Sequence, residues 1–133
     1  MMETQDIYLE DYDWNVRIFY NVDRDSAYKV IDFLEDMDYN YPVIKQIEES
    51  LFFFEYDMGI TTINKASKHA TIVMTSHSSP SEMFNTMIHE LKHLVDFVGV
   101  IEGIYLTGEE LAYMIGDIGA LLFPVAGKYL CAN

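Results

Sequence analysis

The spacing of apolar positions along this chain changes several times, and each change marks an expected element. Over residues 14–22, WNVRIFYNV mixes β-branched and aromatic residues with polar ones and predicts a strand. From Asp25 the spacing turns helical. Tyr28, Ile31, Leu34 and Glu35 recur along DSAYKVIDFLEDM as on an amphipathic helix. PVIKQIEESLF predicts a second, shorter helix with Pro42 in its first turn, and a strand is expected to begin at 52–54. Residues 60–63 and 70–75 are rich in Ile, Val and Thr around the polar NKASKH. They predict a β-hairpin whose loop is longer than two residues.

Helix start signals follow directly. In SPSE, Ser79 is a candidate N-cap, Pro80 takes the first helical position and Glu82 lies three residues after the cap. The helix is expected to run from Pro80 to about Val98 and to stop before Gly99. Its apolar stripe is Phe84, Met87, Ile88, Leu91, Leu94, Val95 and Val98. A second capping box is read at TGEE, with Thr107 as cap and Glu110 reaching back. The helix behind it, GEELAYMIGDIGALLF, carries Ala112, Gly116, Gly119 and Ala120 on one side, where another helix could approach closely. Pro124 marks its expected end.

That order predicts an α+β fold. A small mixed or antiparallel sheet with a β-hairpin packs against the helix from Pro80 and the helix after it. The 133 residues fit a single domain, 1–133, and half of them are hydrophobic, so a core is available.

Charge narrows the function. Twenty-two Asp and Glu against eight Lys and Arg leave −14, which disfavours nucleic acid and anionic membrane surfaces as partners. The one cysteine, Cys131, permits no disulfide within the chain. The start MMETQDIYLEDYDW has neither the basic nor the apolar region of a signal peptide. Apolar runs such as ALLFPVAG fall short of the roughly 20 residues that span a bilayer. The expected setting is cytoplasmic.

The chemistry concentrates in NTMIHELKHLVDF. Residues i and i+4 share a helix face, so His89 and His93 can reach one zinc ion. Glu90 is rotated about 100° from His89, beside the metal, where it can act as general base on a water. This is the content of HExxH. The string arises by chance on the order of once in a hundred chains of this composition, so the independently predicted helix is what gives it weight.

A third ligand is required. The metzincin extension is absent, because Asp96 stands three residues after His93. Glu109 and Glu110 follow in the next helix. Glu110 already has a capping role, and Glu109 projects near Ala112, Tyr113 and Gly116. Glu109 is therefore favoured, Glu110 is the alternative, and Glu102 in the interhelical loop is a distant third.

HExxH followed by a glutamate at a GEExAY helix start resembles the gluzincin zinc metallopeptidases. The likeness is to minimal single-domain members, including uncharacterised proteins of bacterial mobile elements and phages, and it covers about half the chain. The resemblance implies His89, His93 and Glu109 as zinc ligands, Glu90 as base and water at the fourth position.

Other residues are candidates for smaller roles. Tyr105, Tyr113 and His77 could meet substrate or its oxyanion, although each also reads as a packing or solvated residue. His69 reads as a hairpin-loop residue. Asp96 and Asp117 could orient the ligating imidazoles. The expected function is a zinc-dependent peptidase acting on a peptide or protein, whose extended substrate could pair with the strand at 70–75 if that strand is an edge. The alternative is a non-catalytic acidic interaction module, for instance a DNA-mimicking inhibitor, on the same scaffold.

Overall fold

The computed structural model describes residues 1–53 and 55–131. Four strands and four helices appear in the order β1 (Glu3–Leu9), β2 (Trp14–Val22), α1 (Ala27–Asp36), α2 (Tyr41–Phe52), β3 (Gly59–Asn64), β4 (His69–Thr75), α3 (Pro80–Glu102) and α4 (Glu109–Leu130). The sheet runs β1-β2-β4-β3, with β2 and β4 parallel and both outer pairs antiparallel. The class is α+β with a mixed sheet and a hairpin, as the pattern of periods predicted.

Helices cover both faces. Ile18, Tyr20, Ile72 and Met74 form one core with Leu91, Leu94, Val95, Ile118 and Leu122 of α3 and α4. Phe19, Val22 and Val73 form the other with Val30, Leu34, Ile44, Ile47 and Leu51 of α1 and α2. The strands' period of two sends alternate residues to these two cores. Because β2 and β4 are covered on both sides, every residue of β4 is buried.

Several boundaries differ from expectation. Strand β1 has no counterpart in the pattern of periods, because its first four residues, Glu3 to Asp6, are polar; its place comes from pairing with β2. Phe52 ends α2 and Phe53 caps it rather than opening a strand, and Phe54 lies outside the described residues. Tyr28, expected on the buried stripe of α1, is exposed, and so are Phe84 and Ile88 on α3.

Gly99 does not stop α3. A Cβ there would stand 2.8 Å from Leu106 and 3.0 Å from Leu111, so the glycine lets the returning chain press against the helix. The stop is Gly103, at φ 75°. Pro124 sits inside α4, which continues to Leu130. Pro124 and Ala120, whose carbonyl loses its partner, both lie on the exposed side where water can serve it. At 22 residues, α4 is long and apolar enough to cross a membrane by length and composition. The separate apolar runs had not shown this. Its buried side nevertheless belongs to the core under the sheet.

Candidate active site

Helix α3 begins where its sequence predicts, with the Ser79 half of the expected capping box in place. Ser79 accepts a hydrogen bond from the Glu82 amide at 3.2 Å, with Pro80 in the first turn. Three turns on, His89 and His93 lie exposed on one face and Glu90 is turned inward at 4% exposure.

The two imidazoles converge. Their Nε2 atoms are 3.1 Å apart and the ring centroids 4.8 Å apart. Two nitrogens about 2.05 Å from a tetrahedral zinc would be separated by about 3.3 Å, so the pair is close to a metal-binding spacing. Phe97, one turn further, stacks on His93 at an interplanar angle of 18°.

Glu90 is held from the neighbouring strand. Thr61 donates its hydroxyl hydrogen to Glu90 Oε1 at 2.7 Å, with the Glu90 carbonyl as a weaker second acceptor at 3.2 Å. Gly59 supplies the room. A Cβ there would lie 2.6 Å from Glu90 Cγ and 2.8 Å from Oε2. Neither residue stood out in the sequence, since GITTIN reads only as a strand. Nothing local announces that its alternate positions face the base.

These groups line one cleft of about 380 Å³. Val43, Gln46, Ile47 and Ser50 of α2 form one wall, β3 the floor, and His89, Glu90, His93 and Phe97 the other wall. The volume lies within the roughly 300–1,000 Å³ of ordinary ligand sites. Strand β3 is the sheet's edge here. The expected substrate strand at 70–75 is β4, which is interior between β2 and β3 and has no edge to offer. The edge on this side is β3.

The downstream glutamates are not brought to the histidines. Gly99 is level with Leu111, while Met83 and Tyr129 line a common pocket, so α3 and α4 run antiparallel. His93 is six residues before Gly99, about 9 Å along the axis, and Glu109 lies beyond Leu111 in the opposite sense. Among the described residues, no group of three or more His, Cys, Asp or Glu is placed to hold a metal ion. The side of α4 expected to press on α3 instead faces solvent. Ala112 and Ala120 are exposed, and a Cβ on Gly116 or Gly119 would meet nothing within 4 Å. Leu111, Met114, Ile118 and Leu122 make the contact to the core. The capping box is absent too: Gly108 is the N-cap, and no side chain caps the helix.

The remaining candidates are dispersed. Tyr113, Glu110 and Asp117 line a groove against Tyr8, Leu9, Glu10, Asp11 and Tyr12 at the β1 end. Tyr105 is exposed in the α3–α4 loop, and Glu102 accepts from Trp14 Nε1 at 2.9 Å and pairs with Lys68. Asp96 pairs with Lys92. His77 lies in the loop just ahead of α3, whose first residue, Pro80, is itself about 13 Å along the axis from His89, and burial lowers its pKa. His69 is not a loop residue. It opens β4, and its Nδ1 lies 2.9 Å from the buried Tyr39 hydroxyl.

No protein-family model, curated protein or solved structure matches this chain.

Proposed function

We propose that the chain is a zinc-dependent peptidase acting on an extended peptide laid along the edge of β3. The observation that carries this reading is the convergence, in one cleft, of a histidine pair at metal-binding spacing, a buried glutamate and an uncharged edge strand. An unpaired edge offers backbone donors and acceptors to a peptide, and GITTIN has no charge to repel one.

His89 and His93 are the residues that would hold the metal. Zinc there would polarise the scissile carbonyl and make water a better nucleophile near neutral pH. Glu90 accepts the proton of the attacking water and passes it to the leaving amine. Val43, Ile47 and Phe97 flank the strand with apolar surface that displaces water around a bound side chain. Glu109 stays in the proposal only as a carboxylate that metal titration has to place, since the two imidazoles alone are assembled.

Elemental analysis of protein purified without chelator should give one zinc per chain, lost in the His89→Ala, His93→Ala double variant. Glu109→Gln and Glu110→Gln show whether either carboxylate joins the ion. Glu90→Gln should keep the zinc and lower peptide hydrolysis by about 10²–10⁴-fold. Hydrolysis that survives Glu90→Gln undiminished overturns the mechanism.

A second reading, a non-catalytic acidic interaction module, draws on the β1-end groove. That groove combines Glu10, Asp11, Glu110 and Asp117 with Tyr8, Tyr12 and Tyr113. It predicts no cleavage of a broad peptide library by the wild type, and partner binding indifferent to Glu90→Gln.

A further inference from the structure

Both oxygens of the Glu90 carboxylate are addressed by one short stretch of β3. Thr61 holds Oε1 at 2.7 Å, and the bare Cα of Gly59 leaves the space that Oε2 and Cγ occupy. Gly59 and Thr61 are two apart on a strand, so they face the same side, toward α3. Ile60, between them, packs in the opposite core. The contact is thus a product of the strand's alternation and of the edge position that brings β3 against α3.

Resting on the peptidase reading, we propose that Thr61 and Gly59 are positioning residues for Glu90. The strand that receives the peptide also aims the base. A glutamate has three rotatable side-chain torsions, and on an exposed helix face it would sample several rotamers. The hydroxyl selects one of them, and the glycine makes that one sterically possible. Peptide pairing along β3 restrains the backbone that carries both residues, so substrate docking and base orientation are linked. Thr61 reaches the Glu90 side chain through Oε1 and acts through that carboxylate.

The bland account is that Thr61 merely fastens β3 to α3. The two accounts differ in what Thr61→Val does, because valine keeps the β-branched shape and loses only the donor. Kinetics on a fluorogenic peptide cleaved by the wild type should show kcat reduced about 10–100-fold, the usual effect of losing a supporting hydrogen bond, with KM and zinc content near wild type. Thr61→Ser should restore most of the lost rate. In metal-free protein, the ¹³C signal of the Glu90 carboxylate should move in Thr61→Val and stay in place in Thr61→Ser. Gly59→Ala should lower kcat by displacing the side chain.

Wild-type kcat in Thr61→Val overturns the proposal while leaving the peptidase reading intact. So does a rate loss that tracks lost folded protein and is not restored by serine. A wild type that binds zinc and cleaves nothing overturns the peptidase reading itself, and the positioning role falls with it.

Discussion

The two edges of the sheet are built differently. Strand β1 is fastened by charge and hydrogen bonds. Glu3 receives Lys128 and Tyr129, each at 2.6 Å, and Gln5 donates to the Leu121 carbonyl at 2.9 Å. Asp6 accepts a two-pronged pair from Arg17 at 2.7 and 2.8 Å. Charged side chains on an edge discourage pairing with another strand. Strand β3 has no charged residue. Its side-chain ties are the Thr61 bond to Glu90 and the Asn64 amide donating to the carbonyls of Met37 and Asp38. The contrast separates an edge closed for stability from one left open beside the histidine pair.

That contrast can be tested by perturbing the core beneath both edges, then the end of β3, then β1. Leu94→Ala removes a fully buried side chain of α3 and should cost about 2–5 kcal/mol in denaturant unfolding. Zinc binding by the fraction still folded should be unchanged, since the His89 and His93 side chains lie on the exposed side of α3. Loss of zinc per folded molecule would show that the pair depends on the core more than its position indicates.

The next test uses pH. His69 pairs with Asn64 at the end of β3. Burial first, and then Arg17, lower its pKa, while Asp6 opposes them. Its imidazole is therefore protonated more readily in the unfolded chain than in the folded one. Unfolded protein binds more protons in the window just below the ordinary value of 6.5, so stability should decline as pH falls through that window. His77 shifts in the same direction. Thermal midpoints between pH 7.5 and 5 should fall for wild type and fall less for His69→Gln. Equal slopes would remove His69 from the account. Carboxylates held low, such as Asp57 by Ser78, add their own loss only at more acid pH.

The smallest effect is expected at β1. Glu3→Gln disturbs a pair that is partly exposed and should cost less than about 1 kcal/mol, with peptide hydrolysis unaltered. A change in hydrolysis there would break the division of labour between the edges.

Much was legible along the chain because it is local. The α3 start is written in Ser79, Pro80 and Glu82, and the side-chain cap forms as expected. The His89–His93 convergence follows from four-residue spacing on any helix. The ends of α3 and α4 lie beyond the expected points because Gly99 and Pro124 are local punctuation that packing and solvent exposure override. The buried face of α4 differs from expectation for a related reason. A stripe of small residues and a stripe of Leu, Met and Ile can each suit a neighbouring helix, and only burial of the larger area decides between them.

The amino-acid order by itself determined the α+β class, the helix under HExxH and the shared face of its histidines, because each depends on residues within a few turns of one another. Tertiary structure alone decided that β4 lies inside the sheet and β3 at its edge. It also decided that Gly59 and Thr61 meet Glu90, and that Glu109 and Glu110 end far from the histidine pair. Those outcomes depend on strand order and on which side of α4 is buried. Both are settled by contacts between residues distant in the chain, where local spacing carries no information.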